Sequence, residues 1–275
     1  MNMHGTHPAF AVVGLAFACL LSATPARAQS AAEMAKKLQD PLANIQALMT
    51  DNDINFNTGT GETSYGFQLQ PVYAVPFEDA GFNLINRAVI PILGLQPLAS
   101  KPPLVDPQPR GGDLTWGLSD IMLQFFFSPR TEGTWKWGIG PTFSLKTRTD
   151  SDLAGPGWGA GPIFVLVGGA GNLSIAAIGG HLWAEEGFST SILQPMLFYN
   201  IGTDGWTVHY NNIISYDWNA SSGNEWTVPL GLGVSKTFAL KSGLGIEPLL
   251  GYYYNAARPA GAADHVIKWS VNILF

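Results

Sequence analysis

Cysteine is all but missing from this chain, with Cys19 the single thiol in 275 residues. A disulfide framework is therefore excluded, and no Cys, His and carboxylate spacing reads as a metal site. Charge is scarce too: Lys, Arg, Asp and Glu make up 12% of the chain, while aromatics reach 12% and glycines number 32. That composition is unlike a water-soluble α/β enzyme. There is no basic excess, since the net charge is −6 and discounting Arg27 with the first 28 residues makes it −7; no nucleic-acid partner is expected. Beyond residue 28 no apolar run approaches the roughly 20 residues that a membrane helix needs. Catalytic signatures are missing as well. No nucleophile-elbow pattern occurs, and the glycines of Trp137-Gly-Ile-Gly-Pro141 and Trp158-Gly-Ala-Gly-Pro162 lack the strand–glycine–helix context of a phosphate loop. His209 and Asp217 share a predicted face, but eight strand residues separate them by about 26 Å. The reading is accordingly non-enzymatic and without a cofactor.

What is present is alternation. In the last strand Ile267, Trp269, Val271, Ile273 and Phe275 fall on one face, with Lys268, Ser270, Asn272 and Leu274 on the other. This is the period-two pattern of a strand between lipid and a wetter interior. Trp269, Val271, Ile273 and the terminal Phe275 resemble the assembly signal that bacterial outer-membrane barrels present to their assembly machinery. At the other end Ala9 to Leu21 form an apolar run followed by Ala26-Arg27-Ala28, which reads as a secretory signal over residues 1–28, although only His4 and His7 stand where a basic residue is usual. Cys19 as a lipoprotein attachment site fits its apolar flanks poorly.

From residue 52 onward, alternating segments centred near 55, 69, 87, 121, 140, 162, 178, 195, 211, 231, 249 and 270 give twelve strands. The clearest places Trp206, Val208, Tyr210, Ile214, Tyr216 and Trp218 on one face and Thr207, His209, Asn211, Ser215 and Asp217 on the other, with aromatics at both ends as in two interfacial girdles. Residues 172–184 resist assignment, because Ile178 and His181 sit on the wrong faces in either register. Short links at 78–81, 129–133, 168–171, 202–205 and 241–243 alternate with longer ones at 95–113, 147–156, 185–189, 220–224 and 257–263. The prediction is a transmembrane antiparallel up-and-down β-barrel over 52–275 with both termini periplasmic. Seven strands hold an internal proline, Pro71, Pro91, Pro141, Pro162, Pro195, Pro229 and Pro248, read as bulges or kinks ahead of a functional constriction. Residues 29–51 are read as a helical lead-in or plug, with Asp40-Pro41 as the start and Leu42, Ile45, Leu48 and Met49 at helical spacing.

The charges predicted to face inward are Arg87, Asp120, Lys136, Lys146, Arg148, Glu247 and Lys268. Counting across the links sets Arg87 opposite Asp120, and Gln124 opposite Lys136. The Arg87–Asp120 pair is then either a selectivity element or a salt bridge filling a narrow lumen.

Several motifs carry a resemblance: Asp40-Pro-Leu-Ala-Asn44, Gly117-Leu-Ser-Asp120 leading to Phe125-Phe-Phe-Ser-Pro129, the two Trp-Gly-x-Gly-Pro segments, His181-Leu-Trp183, Leu193-Gln-Pro195, Tyr216-Asp-Trp218, and Trp226-Thr-Val-Pro229 with Gly233-Val-Ser-Lys236. In these the chain resembles the bacterial outer-membrane barrel family of phenol-degradation pathway transporters, some members of which are mislabelled neuromedin U. The resemblance implies a channel or transporter for small, aromatic or hydrophobic compounds and supplies no set of functional residues. Its partners would be outer-membrane lipid and a small-molecule solute. Two other classes stay open: a closed structural or adhesive barrel that binds through its outer loops, and a barrel hydrolase that would depend on His181.

Overall fold

The computed structural model describes residues 30–58, 62–95, 113–131, 133–153 and 155–275. The signal expectation for 1–28, Cys19 and most of the longest link lie outside them. A helix α1 (Ala31–Leu38) precedes twelve strands: β1 (Gln46–Thr58), β2 (Glu62–Phe77), β3 (Phe82–Leu95), β4 (Thr115–Leu118 and Ile121–Pro129), β5 (Lys136–Leu145), β6 (Gly159–Ala170), β7 (Leu173–Ala184), β8 (Ser189–Ile201), β9 (Trp206–Asn211 and Ile214–Asp217), β10 (Trp226–Lys236, with a two-residue continuation Phe238–Ala239), β11 (Gly245–Ala257) and β12 (His265–Leu274). Neighbours in sequence pair antiparallel around the ring. β1 closes it against β12 from Ala47↔Leu274 to Phe56↔His265, which leaves no unpaired edge.

The exterior is the apolar face of each strand. Leu166, Leu197, Leu230, Leu232 and Leu250 are exposed in its middle, and exposed tryptophans ring both ends, Trp135, Trp137 and Trp206 at one and Trp116, Trp158, Trp183 and Trp218 at the other. An apolar band between two aromatic girdles is what a membrane-spanning barrel presents to lipid. The described N-terminal segment from Ser30, the C-terminal Phe275 and the short turns share one end, the terminal end; the opposite end is the loop end.

Three expectations change at this level. The helix is Ala31–Leu38 and does not start at Asp40-Pro41. Ser30 caps it, accepting from the Glu33 backbone N–H while the Glu33 side chain accepts from Ser30 N–H, a capping box that the 40–43 segment has no means to match. Leu48 and Met49 belong to β1, which begins at Gln46 rather than after residue 51. Leu and Met at 48 and 49 satisfy either periodicity, and the free edge of β12 decides the matter by supplying a hydrogen-bonding partner.

Of the seven prolines, Pro229 coincides with a register shift, and Pro91 with the change of offset where β4 is interrupted at Ser119 and Asp120. Pro141 and Pro162 pair with each other across an unshifted β5–β6 ladder, so missing N–H groups are tolerated without a general pattern of bulges. The ambiguity of β7 resolves with Ile178 and Leu182 buried inside and His181 and Trp183 outside, the reverse of a wet interior.

Candidate functional site: the barrel lumen

The inward face of the barrel divides into two walls. On β10, β11, β12, β1, β2 and β3 it carries the charged and amide groups, although Ala47, Val72, Ala74, Ile85 and Leu274 of these strands are apolar and buried. Lys268 forms salt bridges with Asp51 at 2.8 Å and Asp53 at 3.6 Å. Glu247 accepts from the Ser235 hydroxyl at 2.7 Å and from the Asn272 amide at 3.4 Å. The Arg87 guanidinium donates to Gln124 Oε1 at 3.1 Å and Gln70 Oε1 at 2.6 Å.

β6, β7 and β8 contain no Lys, Arg, Asp or Glu. Their inward side chains Ile163, Val165, Val167, Ala176, Ile178, Met196 and Phe198 join Phe126 of β4 in one buried apolar cluster.

That apolar wall has an occupant. Met34, Leu38 and Leu42 are buried in the same cluster, with Ile45 and Met49 packed against it, so α1 and the turn after it lie inside the terminal end. Gly138, from the first Trp-Gly-x-Gly-Pro segment, makes room: a Cβ there would sit 3.1 Å from Leu42 Cδ2 and 3.2 Å from Val165 Cγ1. Polar ties hold the segment as well. Lys136 Nζ reaches Asp40 Oδ2 at 2.6 Å, and the Gln39 and Asn200 amides exchange hydrogen bonds at 2.8 and 3.0 Å beside Thr207.

Between the walls lies a cavity of about 90 Å³, lined on one side by Leu38, Gln39, Asp40 and Pro41 and on the others by residues of both walls. It exceeds the ~10–15 Å³ a water needs and falls short of the ~150 Å³ that takes up a benzene ring. Wider recesses flank it: about 260 Å³ around Asn55, Ser64 and Asn255 at the loop end, and about 240 Å³ between α1 and the Lys136–Ser174 side of the terminal end.

Two expected pairs are overturned. Arg87 stands opposite Gln124, and Val72 on its other side; a long link carries no register information, so counting across it fails. Asp120 instead leaves the wall at the interruption of β4. Its side chain is 0% exposed, pairs with Arg148 Nη2 at 2.9 Å and accepts from the backbone N–H of Thr147, Arg148 and Gly157. Asp120 is thus a staple that folds the 146–157 loop, and Arg148 is its partner, away from the lumen cavity. Gln124 pairs with Thr142, because the β4–β5 turn runs on through Trp135 and displaces Lys136 to the terminal end. Lys146 lies at the loop end, 2.6 Å from Glu185, and its hydrogen bond holds the Glu185 carboxyl below its ordinary range.

Of the predicted inward set, the structure brings Arg87, Gln124, Glu247 and Lys268 to the interior wall, puts Lys136 at the terminal mouth, and places Asp120, Lys146 and Arg148 at the loop end. Sequence reading missed Asp51, Asp53, Gln70 and Asp40. The signal was there: Asp51-Asn-Asp53 alternates in phase with Asn55, a pattern masked by the helical assignment of the preceding residues.

His209 is 1% exposed on the inward face, and neither ring nitrogen has a protein partner. His181 faces outward at the loop end, its Nδ1 2.8 Å from Ser191 Oγ and its Nε2 3.2 Å from Ser189 Oγ, with Trp218 Nε1 donating to Ser191. Neither histidine hydrogen-bonds a carboxylate among the described residues. No group of His, Cys, Asp and Glu among them forms a metal site.

No family model and no curated protein matches the chain. Solved structures do. An outer membrane channel from Pseudomonas putida F1 superposes with a TM-score of 0.60 at 12% identity, over 85% of this chain and 97% of that one. The fold is that of an outer-membrane barrel. The NanC porin follows with a TM-score of 0.51 at 10% identity, over 83% of this chain and 98% of its own.

Proposed function

We propose that this protein is an outer-membrane channel for the passive passage of small aromatic or hydrophobic compounds, narrowed at its periplasmic end by its own N-terminal segment. The observation that carries this reading is the lumen itself: an interior of mixed polarity with a recess at each end, interrupted mainly by α1 and residues 39–45. The resemblance to phenol-degradation transporters and the likeness to a solved channel point the same way. A concentration gradient supplies the drive, and the walls supply size and polarity selection. Trp269, Val271, Ile273 and Phe275 take the role of the assembly signal on the closing strand.

The test is to fix the plug. The Cβ of a residue at 245 would sit 3.6 Å from Met34 Cβ, within the range of a disulfide. In a chain freed of Cys19, Met34→Cys with Gly245→Cys should lose single-channel steps in a planar bilayer when oxidised and regain them on reduction. A chain shortened to Asp51 is a poor comparison, because it would lack the first five residues of β1. A folded barrel that passes neither ions nor neutral solutes in either redox state would sink the channel reading in favour of a closed structural or adhesive barrel.

A further inference from the structure

We infer that the lumen holds a binding site for a monocyclic aromatic acid, with Arg87 taking the anionic group and the apolar wall taking the ring. The inference rests on the channel reading and adds to it the chemical class of the solute.

Two cations face the interior on the polar wall, and only one is spent. Lys268 lies between Asp51 and Asp53. Arg87 forms no salt bridge among the described residues, and its two recorded partners are the neutral amide oxygens of Gln70 and Gln124. Those oxygens hold the planar fork in place without cancelling its charge, an arrangement suited to a carboxylate. The opposite charge that reaches it, Asp51, acts through space and is already bound to Lys268; a buried cation so weakly compensated is costly, and an anionic solute supplies a direct partner.

The second observation lies across the ring. Arg87 is on β3 and His209 on β9, six strands apart in a ring of twelve, so they stand on opposite sides of the same cavity. Both ring nitrogens are buried and unpartnered, with the Cε1–Nε2 edge against Gly233; once a solute widens the cavity and the ring turns toward it, the imidazole can donate through one nitrogen and accept through the other, which matches a ring hydroxyl or the far edge of a polar substituent. Phe198 packs beside it with ring centroids 5.9 Å apart, and Met196 and Ile178 complete an apolar surface between the two polar ends.

Glu247 and Asp51 also line this cavity. Asp51 is committed to Lys268, and Glu247, on β11, is four strands from Arg87 around the ring and is held by Ser235 and Asn272. They disfavour a second negative charge, so the site fits a monoanion. Since the cavity is smaller than a benzene ring requires, occupancy displaces the Leu38–Pro41 side, and binding is coupled to movement of the plug.

The experiment uses the refolded chain in detergent for calorimetry and in proteoliposomes for uptake, with benzoate, benzyl alcohol and acetate as probes. Benzoate should bind at least tenfold more tightly than either benzyl alcohol, which lacks the charge, or acetate, which lacks the ring. Arg87→Gln should lower the ratio of benzoate to benzyl alcohol, in binding and in uptake, by tenfold or more, and Arg87→Lys should recover part of it; the retained heat-dependent gel shift of a folded barrel accompanies each variant. Equal binding of benzoate and benzyl alcohol, or a ratio unmoved by Arg87→Gln, overturns the inference and leaves the channel standing. Absence of uptake for all three probes, with benzoate still bound through Arg87, overturns the channel and leaves the site.

Discussion

The two walls of this lumen are built on opposite principles. From β10 through β12 to β3 the interior is held by named polar pairs, Lys268 with Asp51 and Asp53, Glu247 with Ser235 and Asn272, Arg87 with two glutamines. From β6 to β8 it is held mainly by apolar packing, with polar ties from β8 at Gln194 to Asn211 and at Asn200 to Gln39 and Thr207. Barrel interiors are ordinarily polar because water fills them. The apolar half departs from that rule because it is covered from within by Met34, Leu38 and Leu42, which gain about 25 cal/mol for each Å² of apolar surface removed from water. The asymmetry records where Leu38 and Leu42 pack, while Met34, one helical turn earlier, rests against Gly245 of β11.

The sharpest way to break the polar wall is Lys268→Ala. It leaves Asp51 and Asp53 facing each other inside the barrel without a cation, and removal of one partner from a buried pair costs about 3–5 kcal/mol. Thermal unfolding followed by the gel shift of the folded barrel should show a larger loss than Gly138→Val or Glu185→Gln. Adding Asp51→Asn and Asp53→Asn should recover much of it. No recovery would mean that Lys268 acts by packing its stem, and the contrast between the walls would lose its electrostatic half.

The apolar wall is tested by crowding. In Gly138→Val the new Cβ presses on Leu42 Cδ2 and Val165 Cγ1, and overpacking of this kind costs about 1–3 kcal/mol. The strain falls on the N-terminal segment, which has fewer ties than the β5–β6 ladder. Hydrogen exchange should therefore rise in residues 31–42 and stay unchanged in β6. If β6 loosens instead, the plug is the stiffer partner, and the wall is not built around it.

This asymmetry also explains what could be read in advance. Alternation is enforced wherever lipid lies on one side and polar groups on the other, so the strand count, the aromatic girdles and the inward position of Arg87, Glu247 and Lys268 were legible. β7 resisted because both its faces are apolar, one for lipid and one for Leu38 and its neighbours. Its ambiguity was itself the trace of a docking surface. Register was not legible across links longer than a tight turn, which is why Asp120 and Lys136 were assigned the wrong partners. The departure of Asp120 from the wall depends on backbone N–H groups of Thr147, Arg148 and Gly157 that no side-chain pattern announces.

The smallest effect belongs to the loop end, where neither wall reaches. Glu185 is held below its ordinary range, first by its hydrogen bond from Lys146 and further by the charges of Lys146 and Arg148. A carboxyl with a depressed folded value contributes stability above its unfolded value and loses it as pH falls through the folded one. Acidification below about pH 4.5 should therefore loosen the Glu185–Gly187 turn first, well before the barrel responds. Glu185→Gln should abolish that pH dependence in hydrogen exchange of residues 184–188 while leaving exchange in β7 and β8 as it was. Were β7 to loosen in step with the turn, the loop end would share the cooperative unit of the apolar wall, and the boundary between the two regions would have to be drawn at the loops rather than down the barrel.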